Sequence, residues 1–269
     1  MKNFTGKRIL ITGGASGIGK IMGKLALQRG AELIIWDINQ TSIDETLAEL
    51  APFGKVSAYK IDLSEPEQIK STALLVKNEA GAIDILINNA GIVVGKYFAE
   101  HTTADIKRTM DINANAPMLV TSEFINDMIA RKSGHICNIA SSAGFISNPR
   151  MSVYAASKWA VIGWSDSLRI EMQMKKTRVQ VTTVTPYYIN TGMFTGVRSL
   201  IPLLDPEKVA RNIIRAIEHD RIILSMPFSM HFIRLCQGVL PIPVFDWFAG
   251  SVLRIYKTMD HFTGRKITL

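Results

Sequence analysis

ILITGGASGIGK, residues 9–20, leads from apolar, largely β-branched residues through Gly13, Gly17 and Gly19 into IMGKLALQRG, a segment with helical spacing. Glycine lets a backbone turn sharply and approach a ligand closely, and the free N–H groups of a helix N-terminus attract a pyrophosphate. The spacing is GxxxGxG rather than GxGxxG, so taken alone the stretch also reads as an ordinary strand-to-helix connection. The next run of the chain strengthens the ligand reading. ELIIWD makes a second strand and ends on Asp37, 18 residues beyond Gly19. An acid at that point accepts hydrogen bonds from both ribose hydroxyls of an adenosine and repels a 2′-phosphate, which favours NAD over NADP. No Arg or Lys lies within the glycine turn or directly after Asp37 to welcome that phosphate. The alternative for Asp37 is a helix N-cap ahead of NQTSIDETLAEL.

The alternation continues along the chain. RILIT (8–12), ELIIW (32–36), KVSAYKI (55–61), IDILIN (83–88), HICNIA (135–140), VQVTTVT (179–185) and RIIL (221–224) are short strand-like runs, most of them separated by helix-length segments. This pattern predicts an α/β fold, a parallel sheet covered by helices on both faces. No repeat, low-complexity tract or Pro/Ser linker appears before about residue 186. Residues 1–225 therefore read as one dinucleotide-binding domain with a lid at about 190–205, and 226–269 as its apolar C-terminal extension.

Composition narrows the function classes. A chain of 269 residues with 47% hydrophobic content has room for a large core. Cys137 and Cys236 stand far apart, and the five histidines form no HxxxH or HExxH, so neither a disulfide framework nor a metal site is expected. Together with the lack of a long apolar export segment at the N-terminus, this suits a cytoplasmic setting. A net charge of +8 fits an acidic cofactor or an anionic membrane surface. Lys and Arg are scattered rather than grouped with aromatics, which argues against nucleic acid.

TGGASGIG (12–19), Asp62 in KIDLS, NNAG (88–91), Asn113 in DINAN, Ser141 in IASSAG and YAASK (154–158) stand in an order and spacing that closely resembles the short-chain dehydrogenase/reductase family over roughly residues 5–225. The resemblance implies a doubly wound, seven-stranded Rossmann sheet, a nicotinamide dinucleotide, and a catalytic set of Asn113, Ser141, Tyr154 and Lys158. It also implies cofactor contacts at Gly13, Ser16, Gly17, Ile18, Gly19, Asp37, Ile38, Asp62, Leu63, Asn89, Ala90, Gly91, Ile189 and Thr191, with Tyr154 and Lys158 joining them. Ser141 is preferred to Ser142 because it lies 13 residues before Tyr154 and precedes SAG, as the family's catalytic serine precedes xAG. WDIN (36–39), NTGMF (190–194) and YKTMDHFTGRK (256–266) resemble one branch, the retinol and hydroxysteroid dehydrogenases of epidermal type. Animal members of that branch carry an N-terminal membrane anchor, whereas this chain opens on the first strand. Pro186-Tyr187 departs from the family's Pro-Gly after the sixth strand.

YAASK raises a chemical question, since a phenol holds its proton to about pH 10 and an amine to about 10.4. On a helix, Tyr154 and Lys158 share one face. Two such groups about 5 Å apart interact by roughly 3 kcal/mol at an effective dielectric of 20, or about two pK units. The ammonium is therefore expected to bring the phenolate toward neutral pH, with the positive ring of NAD⁺ acting in the same sense. Tyr154 then serves as general base in alcohol oxidation and general acid in carbonyl reduction. Ser141 would stabilise charge on the substrate oxygen. Lys158 would also hold the nicotinamide ribose, and Asn113, by resemblance, a proton-relaying water.

The segment GMFTGVRSLIPLLDPEKV offers Met193, Phe194, Val197, Leu200, Ile201 and Leu203 as an apolar lid, and Tyr97, Phe145, Ile146, Tyr187 and Tyr188 extend that lining or belong to the core. The expected substrate is a bulky hydrophobic alcohol or ketone: retinoid-like, steroid-like or long-chain. Residues 225–259 are rich in Met, Phe, Leu and Val, yet their longest charge-free run, 235–245, is 11 residues, too short to span a bilayer. Three readings stay open for them: packing on the lid or a sister subunit, peripheral membrane contact, and ordinary core. By resemblance the chain forms a homodimer or homotetramer through helices at about 103–131 and 152–174. The competing function is a catalytically idle nucleotide-sensing or membrane-associated protein of the same fold. A serine hydrolase is disfavoured because GGASGI is not GxSxG.

Overall fold

The computed structural model describes residues 3–264, so the last five residues of the 226–269 extension lie outside the described residues. Seven strands, β1 (Arg8–Thr12), β2 (Glu32–Asp37), β3 (Val56–Lys60), β4 (Ile85–Asn88), β5 (Gly134–Ile139), β6 (Val179–Pro186) and β7 (Ile223–Met226), form one sheet. All pair in parallel, in the order β3-β2-β1-β4-β5-β6-β7. The helices that return the chain between them are α1 (Gly17–Leu27), α2 (Gln40–Leu50), α3 (Pro66–Glu79), α4 (Thr103–Met110), α5 (Ala116–Ala130), α6 (Ser152–Met174) and α7 (Pro206–Glu218).

A sheet covered on both sides needs apolar residues at successive positions, and the period of two sends them to opposite layers. Ile9 and Ile11 of β1 pack with Met22 and Ala26 of α1 and Ile213 and Ile217 of α7. Leu10, between them, joins Trp36, Val76 of α3, Phe124 of α5 and Leu168 of α6 on the other face. The expected strands are all present, with one shift. The residue pattern puts the last strand at RIIL, 221–224, but β7 spans Ile223–Met226, because Ile222 is half exposed and the ladder pairs Thr183 with Ile223 and Pro186 with Met226. The helix expected at about 103–131 is divided: a π-helical stretch, Asp111–Asn115, separates α4 from α5, whose first turn carries Pro117.

Beyond β7 the chain forms α8 (Ser229–Val239) and α9 (Ile242–Trp247), then a π turn and a 3₁₀ turn, Ile255–Lys257. Met230, Ile233, Phe245, Ala249, Ile255 and Met259 are buried in a third cluster together with Phe145, Ile146, Tyr154, Tyr187, Tyr188 and Phe194. The extension thus packs over the carboxyl end of the sheet. No described helix is long and apolar enough to cross a membrane.

Candidate active site

Strand order reverses between β1 and β4, so the crevice at their carboxyl ends is where an open α/β sheet receives a ligand. Gly13 (φ +63°) and Gly17 (φ +55°) occupy the left-handed region that favours glycine, and α1 begins at Gly17. A Cβ on Gly19 would collide with the Gly13 carbonyl oxygen and lie 2.7 Å from Asn89 Nδ2. Asn89 holds this turn: its Nδ2 donates to the carbonyls of Thr12 (3.0 Å) and Gly13 (3.1 Å). Thr12 Oγ1 in return accepts the N–H groups of Asn89 (3.0 Å) and Ala90 (3.1 Å). Ser16 is the extended residue before α1, and Ile18 is buried beneath it.

Asp37 closes β2 with its carboxylate turned to the glycine turn, accepting Ala15 N–H at 3.0 Å and Asn39 N–H at 3.2 Å. The N-cap of α2 is Asn39, which accepts Ser42 N–H at 2.9 Å, so Asp37 is not the helix cap. Ile38 beside it is half exposed. Asp62 accepts the N–H and hydroxyl of Ser64, and Leu63 is buried. From the opposite side, Thr191 comes within 3.8 Å of where a Gly17 Cβ would stand, and Ile189 bridges to Leu204.

Tyr154, Lys158, Val161 and Ser165 form one buried stripe of α6. Ser141, at the end of β5, hydrogen-bonds the Tyr154 phenol and accepts Ala143 N–H at 3.1 Å. Lys158 Nζ lies 5.7 Å from the centre of the Tyr154 ring and donates to the Ile139 carbonyl at 3.0 Å. Gly91 leaves room for this group: a Cβ there would stand 3.6 Å from Lys158 Nζ and 3.3 Å from Asn113 Oδ1. Asn113, fully buried in the π stretch, clamps Ile92 by accepting its N–H (2.8 Å) and donating to its carbonyl (2.9 Å). Its other N–H reaches Ser157 Oγ at 3.2 Å, so both donors of the carboxamide are engaged within the protein.

The electrostatics differ from those expected of the Tyr-Lys pair. Burial pushes the Tyr154 phenol up to about 12, against the pull of the Ser141 hydroxyl, and pushes the Lys158 ammonium down to about 8. Desolvation disfavours the charged form of each group. An aromatic roof contributes to the burial of Tyr154. Phe194 meets the Tyr154 ring edge-on at 6.3 Å, and Tyr188 lies 4.9 Å from Phe194.

Ser141, Ile146, Met151, Tyr188, Phe194 and Ile255 are among the residues around a cavity of about 20 Å³. Asn148, which the sequence did not single out, also lines it. Its Nδ2 donates to Tyr188 Oη and to Thr258 Oγ1, both at 2.8 Å, tying the C-terminal segment to the pocket. Its Oδ1 is buried without a hydrogen-bond partner among the described residues, an acceptor open to a ligand hydroxyl or a water. Met193, Val197, Ile201 and Leu203 pack on the same cluster as expected of a lid, but Leu200 is 62% exposed. Tyr97 also departs from the expected lining, half exposed beneath the Arg150 guanidinium at 4.9 Å.

Comparison with known proteins places this geometry. The family model described as short chain dehydrogenase matches residues 7–200. Epidermal retinol dehydrogenase 2 of Mus musculus is 39% identical over 98% of this chain and 88% of its own length. Estradiol 17-beta-dehydrogenase 11 of Homo sapiens is 33% identical over 89% of this chain and 81% of its own. Among solved structures, a short chain dehydrogenase/reductase from Burkholderia phymatum in complex with NAD superposes with a TM-score of 0.81 at 24% identity, covering 88% of this chain and 95% of that one. A metagenomic short-chain oxidoreductase in complex with NADP gives 0.71 at 26% identity, covering 83% and 96%.

Proposed function

Because the chain belongs to the short chain dehydrogenase family, oxidoreductases acting on CH–OH groups, we propose that it transfers a hydride between NAD and a lipophilic alcohol or its carbonyl, with Tyr154 carrying the proton. The observation that carries this reading is the convergence of Ser141, Tyr154 and Lys158 at the crevice that the glycine turn opens.

The crevice suits a dinucleotide. The N-terminus of α1 begins at Gly17, and the N–H groups of a helix N-terminus suit a pyrophosphate. Each Asp37 oxygen accepts one backbone N–H and keeps a lone pair for a ribose hydroxyl, while its charge opposes a 2′-phosphate. Bound NAD supplies the hydride acceptor for oxidation, and its reduced form the donor for reduction. Tyr154, protonated at neutral pH, gives its proton to the oxygen of a carbonyl undergoing reduction. Ser141 donates a hydrogen bond to the same oxygen as charge develops on it. In oxidation the phenol must first lose that proton, and Lys158 is the cation placed to favour the loss.

Two changes test the cofactor assignment. Asp37→Ser removes the charge facing the adenosine ribose and is expected to narrow the NAD⁺ over NADP⁺ preference in kcat/KM by about 10- to 100-fold; an unchanged ratio would count against Asp37. Gly19→Ala forces the turn apart and is expected to raise the dissociation constant for NADH at least about tenfold by fluorescence titration. The whole proposal is tested by turnover of aliphatic, retinoid and steroid alcohols with NAD⁺ and NADP⁺. Activity confined to small polar polyols would refute the lipophilic substrate, for which the apolar roof of Ile146, Phe194 and Ile255 speaks.

Residues 1–225 act as the dinucleotide-binding and catalytic part, and the described residues of the extension, 226–264, as its cover. Association into a homodimer or homotetramer through the segments 103–131 (α4 to α5) and 152–174 (α6) is part of the same proposal, since Ala156 and Gly163 face outward on α6 while Ala155 is buried in its own chain. Contact of 226–259 with a membrane surface belongs to it too, because a lipophilic alcohol partitions into lipid.

A further inference from the structure

Asn148 lies on the loop that joins β5 to α6 and is only 8% exposed, yet its carboxamide is engaged on one side alone. Nδ2 uses both of its hydrogens, on Tyr188 Oη and Thr258 Oγ1, each at 2.8 Å. Thr258 Oγ1 gives its own proton to the Ile255 carbonyl at 2.8 Å, so toward Asn148 it can only accept. That fixes which way round the carboxamide sits, nitrogen toward Thr258 and Tyr188, with Oδ1 as the group left over. Tyr188 cannot serve Oδ1, because its oxygen lies on the nitrogen side and its proton turns to Thr258 Oγ1 at 3.0 Å or Met151 Sδ at 3.5 Å. Oδ1 is shielded from solvent and has no hydrogen-bond partner among the described residues. A buried acceptor without a donor carries the full desolvation cost of that atom, so an orphan beside a cavity marks a place for a donor.

The cavity of about 20 Å³ has both Ser141 and Asn148 on its wall, with the apolar Ile146, Met151, Phe194 and Ile255 around them. Such a volume holds about one water-sized group. The wider cleft toward Trp159 and Asp246 also borders Asn148, but it is open, whereas Oδ1 is shielded. We propose that Asn148 Oδ1 accepts a hydrogen bond from a second hydroxyl of the substrate, one or two carbons from the carbon that exchanges hydride. The preferred substrates are then lipophilic 1,2- or 1,3-diols and the matching hydroxyketones rather than monoalcohols. This narrows the lipophilic-alcohol reading and rests on it. Ser141 and Tyr154 take the reacting oxygen, and Oδ1, which can only accept, takes a donor and rejects a carbonyl or ether oxygen at the second position. The small span of the cavity sets the spacing, since a hydroxyl many carbons away would fall outside it. A water fits the same space, and the substrate hydroxyl reproduces its hydrogen bond on entry.

The test compares the 1,2- and 1,3-diols of dodecane with dodecan-1-ol, dodecan-2-ol and 1-methoxydodecan-2-ol, first as ligands of the NADH-loaded protein by titration calorimetry, then as substrates with NAD⁺. NADH cannot accept a hydride, so the first comparison is independent of turnover. The better diol is expected to bind at least about tenfold more tightly than the monoalcohols and the ether, and to exceed them by about 10- to 100-fold in kcat/KM. Asn148→Leu keeps the shape without the acceptor and is expected to level all of them. Asn148→Asp gives up the Nδ2 ties but keeps an acceptor, and is expected to retain the preference. A purely structural role for Asn148 would disturb both variants alike, and a site for water only would leave the wild type blind to the second hydroxyl; either result overturns the proposal. Should Asn148→Leu fail to fold, the wild-type contrast between the 1,2-diol and its methyl ether, which differ in that one donor, decides by itself. Diol-selective binding without turnover of any alcohol would refute the catalytic assignment and keep this one. Turnover of monoalcohols and diols with equal kcat/KM would do the reverse.

Discussion

Replacing Tyr154 with Phe is expected to lower kcat by about 10³-fold, within the 10²- to 10⁴-fold range of a positioned proton carrier. The substitution removes one oxygen from a ring that is already buried against Phe194, and leaves its packing in place. Affinity for NADH, by fluorescence titration, is expected to stay within about threefold of the wild type. The pH profile adds a second signature. In the wild type the phenol is held up to about 12 by burial, so oxidation is expected to quicken as pH rises and reduction to hold steady through neutral pH. The variant should lose that dependence. Turnover within about tenfold of the wild type would remove Tyr154 from the chemistry.

Lys158→Met is expected to abolish most turnover and yet stabilise the fold at pH 7. Burial holds the ammonium down at about 8, from 10.5, and each unit is about 1.4 kcal/mol, so the charged form costs about 3 kcal/mol below pH 8. Methionine fills similar space without that cost but gives up the hydrogen bond to the Ile139 carbonyl, about 1 kcal/mol. The net gain of about 2 kcal/mol corresponds to a rise in melting temperature of roughly 4–8 °C for a chain of this size. The sign of its pH dependence is fixed. Between pH 8 and 10.5 the unfolded chain binds the proton that folded Lys158 has released, so wild-type stability rises with pH and the advantage of the variant fades. Between 10 and 12 the order reverses at Tyr154, where the folded chain keeps the proton and stability falls. Melting curves of both proteins from pH 7 to 11 check this, and a less stable variant at pH 7 would show that burial is not what governs Lys158.

The strands, the glycine turn and the acid at the end of β2 were legible from residue pattern because each obeys local rules: period-two burial, glycine at positive φ, and a strand ending on a carboxylate. That Ser141, Tyr154 and Lys158 come together was legible through ordered motifs. The choice of Ser141 over Ser142 rested on spacing, and the structure sets Ser141 against the phenol. Residues whose role depends on what packs over them were harder to place. Leu200 and Tyr97 are as apolar as their neighbours but turn outward, and Asn148 enters the pocket through partners 40 and 110 residues away.

The order of chemical groups along the chain thus determined the sheet, the crevice and which side chains meet there. Only the tertiary structure decided how those side chains ionise and what the C-terminal segment covers. Spacing on a helix gives the distance between Tyr154 and Lys158, and so their attraction. The loss of water around Tyr154, which sets the sign of its shift, comes in part from Phe194, Tyr188 and residues of 226–259 packed in the same cluster, far from it in sequence, while Lys158 is buried beside the Ile139 carbonyl and Gly91.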